Sequence, residues 1–85
     1  MKQKYVVNIG GNSLTVISDE EEEYVKSLAQ ILDRRVMDMV IVKNKCSKAE
    51  ALMLCALDYL DSTVKLKAEV EDLKEKLHEQ QNGNS

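Results

Sequence analysis

Few residues in this chain are of the types that do covalent or metal chemistry, and their spacing works against each kind. His78 is the single histidine. It falls near the end of a long helical pattern, on its outer face. Nucleophilic catalysis needs a nucleophile, a paired base and an oxyanion site. No such set is spaced for the task, so a non-enzymatic protein is expected. Cys46 and Cys55 form no CxxC pair. With His78 distant, they supply too few ligands for a metal. They read as a free thiol near a loop and a small hydrophobe buried in a helix. No cofactor is expected either. Gly10-Gly11-Asn12 lacks both the GxGxxG and the Walker pattern, so it reads as a turn and not as a phosphate cradle. The acidic run Asp19 to Glu23 fits a helix start, where the macrodipole favours negative charge.

What remains is surface charge. Arg34, Arg35, Lys43, Lys45 and Lys48 cluster around the end of one helical pattern and the start of the next. Such a cluster suits an acidic partner, chiefly by speeding association. Lys43 and Lys45 are also favoured near a helix C-terminus whatever their partner. Over the 85 residues, 12 basic side chains face 15 acidic ones, for a net charge of −3. A general nucleic-acid binder would show a basic excess. The opening Met1-Lys2-Gln3-Lys4-Tyr5 lacks the apolar region of a signal peptide. The longest apolar run, Ala51 to Leu57, is too short to cross a bilayer. The expectation is a cytosolic protein with neither nucleic acid nor membrane as partner.

Those cations must be positioned by a small set of elements. Lys4 to Ile9 alternates, with Tyr5, Val7 and Ile9 on one face and Val6 and Asn8 on the other. Gly10-Gly11-Asn12 follows, and then Ser13 to Ile17 alternates again. Two alternating runs about a Gly-Asn turn predict a β-hairpin. A lone hairpin is marginal in water, so its apolar face must lie on helices or its edge on another strand. Ser18 and Glu21 have capping-box spacing, and a helix is predicted from there to about Val42. Its apolar stripe is Val25, Leu28, Leu32, Val36 and Met39, widened by Tyr24, Ile31 and Val40. Lys43-Asn44-Lys45 reads as a polar turn.

Ser47 to Gln81 reads as one further helix. Ser47 and Glu50 give it a capping box, and neither Pro nor Gly interrupts it. At this length it is roughly 50 Å long, more than a compact domain of 85 residues can enclose. Leu52, Ala56, Tyr59, Thr63, Leu66, Val70, Leu73 and Leu77 follow alternating four- and three-residue steps, a heptad seam. A second stripe, Met53, Leu57, Leu60 and Val64, stops before Lys67. Two apolar faces imply a buried helix start; a single narrow stripe implies a coiled-coil stalk. The expected architecture is α+β: an N-terminal β-hairpin, an amphipathic helix, then a long helix extending into a coiled coil. The expected divisions are a globular head over 1–64, a coiled-coil stalk over 65–81 and a disordered polar tail over 82–85. A head this small usually needs help from a partner chain.

This order of elements resembles the ZapA family of bacterial cell-division proteins. Val7-Asn8-Ile9-Gly10-Gly11-Asn12-Ser13-Leu14-Thr15-Val16 is similar to the family's opening hairpin, with its glycine before a Ser-Leu-x-Val strand. Ala49-Glu50-Ala51-Leu52-Met53-Leu54-Cys55-Ala56-Leu57-Asp58 is similar to the start of its second helix. The resemblance implies a protein that binds filaments of the tubulin-like FtsZ and cross-links them at the mid-cell division ring. It implies homodimers joined through the long helix, some of which pair into antiparallel tetramers. The oligomerisation residues expected are Leu52, Ala56, Tyr59, Leu66, Val70, Leu73 and Leu77. Family hairpins often carry basic residues after the turn glycine, where this chain has Asn12 and Thr15. Partner contact is therefore expected of Arg34, Arg35, Lys43, Lys45 and Lys48, with Glu50 matching an acidic family position. Two other readings share the element order: a ribbon-helix-helix DNA-binding dimer, whose strands would read a groove, and a generic coiled-coil adaptor.

Overall fold

The computed structural model describes residues 1–44 and 46–83. Two strands, β1 (Gln3–Ile9) and β2 (Asn12–Ser18), form an antiparallel hairpin. Ile9 pairs with Asn12, so the loop is only Gly10 and Gly11. Both have positive φ, +61° and +83°. That is the backbone of a type I′ turn, whose twist matches the strands and which side chains with a Cβ resist. Asn12 thus opens β2 and is not part of the turn.

The register places Tyr5 opposite Val16 and Val7 opposite Leu14. Tyr5 and Val7 are buried against Val25 and Ala29 of α1 (Glu22–Met37), with Ile9 and Val16 beside them. The Tyr5 hydroxyl donates to the Glu20 carbonyl at 2.9 Å, pinning the strand to the chain entering the helix. The hairpin therefore lies on a helix, as its alternation requires. The cover is one-sided, for α1 sits chiefly against β1, and Leu14 of β2 stays 52% exposed.

α1 starts later than its capping signal suggests. Ser18 ends β2, and its Oγ accepts the Glu20 N–H at 3.0 Å, a local turn and not a cap. The N-cap is Glu21, without a side-chain cap bond. Of the acidic run only Glu22 and Glu23 lie in the first turn. Pairing of Ser18 with Gln3 across the sheet takes the residue the helix would have used.

Helical structure does extend to Val42, but the last stretch, Asp38–Val42, is a π-helical turn. The Lys43 N–H donates to the Asp38 carbonyl at 3.0 Å, five residues back. Lys43 Nζ also lies 3.6 Å from Asp38 Oδ2. Asn44, at φ +48°, adopts the left-handed conformation that ends many helices.

α2 spans Lys48–Gly83. Its cap is the box read from the sequence: Glu50 N–H donates to Ser47 Oγ at 3.2 Å, and Ser47 Oγ–H to Glu50 Oε1 at 3.0 Å. The helix runs two residues past the expected end at Gln81, through Asn82 and Gly83; Asn84 and Ser85 lie outside the described residues. A second buried cluster joins Val36, Ala51 and Cys55, with Leu32, Met39, Val40, Cys46 and Leu52 packed on it. Cys55 Sγ sits 4.0 Å from Met39 Sδ. The chain divides into two compact units, Met1–Cys55 and Ala56–Ser85.

Candidate interaction surfaces

Two kinds of surface emerge from this scaffold, one charged and one apolar. The charged one lies in the first unit. Arg34 and Arg35 occupy the last turn of α1, where cations oppose the negative end of the helix dipole. Arg34 is exposed. Arg35 is half-buried and lines a shallow cleft with Asp38, Met39 and Lys43 around the π turn. Lys43 is turned toward Asp38, so part of its charge is already balanced within the chain. Lys45 lies outside the described residues. Lys48 is exposed at the first position of α2 and reaches over the hairpin turn. Glu50 is exposed and engaged in the Ser47 capping box. The five expected cations are thus unequal. Arg34 and Lys48 project from the ends of two helices, whereas Lys43 is tied locally.

The apolar surface is carried by α2. Ala51 and Cys55 are buried in the second cluster, and Leu52 is partly buried beside them. Beyond Cys55 the described heptad residues are largely open in the single chain. Ala56 is exposed, and Tyr59, Leu66, Val70, Leu73 and Leu77 are all 42–59% exposed. The second stripe is equally open, since Met53, Leu57, Leu60 and Val64 are 58–64% exposed. The chain alone therefore buries less of the helix start than its two apolar faces imply. A row of exposed, mostly apolar side chains of this length is a candidate interaction surface.

One further surface is not evident from the sequence. The broad face of α1 is only half covered. Val25, Ala29 and Val36 are buried, while Tyr24, Leu28 and Ile31 remain 50–55% exposed. Leu28 and Leu32 border an apolar groove lined also by Val7, Ile9 and Val16. Counting large side chains along the stripe could not reveal it, because Ala29, a small residue, takes the central buried position. Among the described residues no group of His, Cys, Asp or Glu is arranged to hold a metal ion, and no helix is long and apolar enough to cross a membrane.

Comparison with known proteins places this arrangement. The family model described as cell division protein ZapA matches residues 5–83. A solved structure, a ZapA mutant dimer from Geobacillus stearothermophilus, has a similar fold. The two superpose with a TM-score of 0.72 at 22% sequence identity, over 91% of this chain and 90% of that one. No curated protein matches the chain.

Proposed function

The chain belongs to the ZapA family of cell-division proteins, and from that premise we propose that it binds FtsZ filaments and cross-links them at the division ring. In this reading it acts without catalysis, in the cytoplasm at mid-cell, and its working form is a homodimer. The observation that carries the reading is the uncovered heptad seam of α2. Leu66, Val70, Leu73 and Leu77 alternate in four- and three-residue steps while staying 47–59% exposed. A second copy of the same helix would bury them in a coiled-coil stalk. Val70 at an a position and Leu73 at a d position favour two parallel strands. The seam beyond the head is about two heptads long, too short to hold a dimer alone given the cost of helix nucleation. The first unit must share the interface. Half-open Tyr24, Leu28, Ile31 and Met53 of that unit supply surface for this, in addition to the stripe Leu57, Leu60 and Val64 of the second.

Cross-linking then follows from geometry. A single head offers one filament site, and two joined heads offer two, so multivalency requires the joint. Arg34, Arg35, Lys43 and Lys48 are the cations offered to the filament, with Lys45 beside them in sequence. Pairing of dimers into antiparallel tetramers would extend the reach. Co-sedimentation with polymerised FtsZ, with electron microscopy of the pellet, tests the proposal. The expected result is enrichment of the protein in the pellet and bundled filaments. A protein left in the supernatant at saturating filament concentration would refute it.

A further inference from the structure

Three side chains from two helices converge on the Gly10–Gly11 turn. The Gly10 N–H donates to Asp33 Oδ1 at 2.7 Å, tying the hairpin tip to the late turns of α1. Val36 Cγ1 lies 3.5 Å from where a Cβ on Gly10 would sit, so the turn also rests on the buried cluster. From the other side Lys48, first residue of α2, lays its Nζ 3.2 Å from where a Cβ on Gly11 would sit. The tip itself is uncharged, for Ile9 through Ser18 contains no Asp, Glu, Lys or Arg. Its positive charge arrives from another element, through space.

We infer that Asp33 is a positioning residue for partner docking: by holding the Gly10 amide it fixes the hairpin tip under Lys48, so that tip and ammonium present one surface to an acidic patch on the filament. The inference rests on the proposed function and deepens it. A hydrogen bond from an amide to a carboxylate is charge-assisted, among the stronger kinds. It acts at the end of the hairpin remote from the Tyr5 anchor. Without it the tip samples more conformations, and a partner must order it on binding, which lowers affinity. Two glycines suit this role doubly. They give the turn its positive φ and leave the space that Lys48 occupies.

The test combines co-sedimentation on polymerised FtsZ with amide exchange measured by NMR. Asp33→Ala removes the acceptor, Asp33→Asn keeps one, and Val25→Ala weakens the fold at the far side of α1 as a control. Asp33→Ala is expected to expose the Gly10 amide to exchange and to weaken filament binding roughly five- to tenfold, the scale of about 1 kcal/mol or slightly more. Asp33→Asn and Val25→Ala, assayed where each is fully folded, are expected to stay within about twofold of the parent. Adding Asp33→Ala to Lys48→Ala should cost little beyond Lys48→Ala alone, because the two act on one surface. Parent-like binding by Asp33→Ala with an unprotected Gly10 amide would overturn the inference. Equal weakening by Val25→Ala, or failure of Asp33→Asn to restore binding, would reduce Asp33 to a structural role and overturn it too. A parent protein that does not sediment would refute the proposed function, and this inference with it.

Discussion

The two units of this chain use the same aliphatic side chains to opposite ends. In the first, Tyr5, Val7, Val25, Ala29, Val36, Ala51 and Cys55 are each no more than 8% exposed. Their partners lie within the chain. In the second, Leu57, Tyr59, Leu60, Val64, Leu66, Val70, Leu73 and Leu77 are all at least 42% exposed. Hydrophobicity therefore does not say whether a residue serves the fold or an interface. What separates the two is how much of each is covered within its own unit. The first unit has a hairpin, α1 and the first turns of α2 to bring together. The difference is one of degree as well, because Tyr24, Leu28 and Ile31 on α1 are also half open.

The sharpest way to break the comparison is inside the first unit. Val36 is fully buried between α1 and α2. Among the described residues, its cluster is aliphatic and sulfur-bearing, which leaves an introduced carboxylate poorly solvated. Val36→Asp should cost more than about 4 kcal/mol, enough to unfold a domain whose whole net stability is roughly 5–15 kcal/mol. Circular dichroism with urea titration measures it. A cooperative transition near the parent midpoint would mean that this cluster does not hold the unit together.

A smaller effect sharpens the comparison at the helix start. Ser47 Oγ accepts the Glu50 N–H and Glu50 Oε1 the Ser47 N–H, donors that α2 would otherwise leave open. Ser47→Ala should cost about 1 kcal/mol, which lowers the melting temperature by roughly 4–8 °C in a domain of this size. The melt must be run at fixed protein concentration, since association shifts it. No change would mean that water caps the helix as well as Ser47 does.

Much of the fold is legible in the residues. Alternation about Gly10-Gly11 marks the hairpin and its inner face. The Ser47–Glu50 box marks the start of α2. The α1 boundary is misleading because the same signal, a Ser three residues before a Glu, occurs at Ser18. There a cross-strand partner competes for the residue, and local spacing carries no record of such a partner. The π turn is illegible for a related reason. Val36, Met39 and Val40 fit an α-helical stripe equally well, and only the Lys43 N–H bond to the Asp38 carbonyl shows the wider turn. Of the charged surface, the sequence groups the cations but cannot rank them. That ranking comes from long-range placement, in which Lys43 folds onto Asp38 and Lys48 reaches the hairpin turn.

The central claim is that the open seam of α2 joins two copies and that the joint makes cross-linking possible. Leu66→Glu with Leu73→Glu tests it most directly, because both residues are 57–59% exposed in the single chain and should contribute little to its fold. In a dimer the pair of changes removes four leucines, each contributing about 1.5–3 kcal/mol when buried, and sets like charges across the seam. Sedimentation equilibrium should find the parent at twice the mass of one chain and the double variant at one. Circular dichroism should show the variant's first unit still folded, and electron microscopy should show single FtsZ filaments where the parent gives bundles. A variant proven monomeric that still forms bundles of parental thickness would contradict the account.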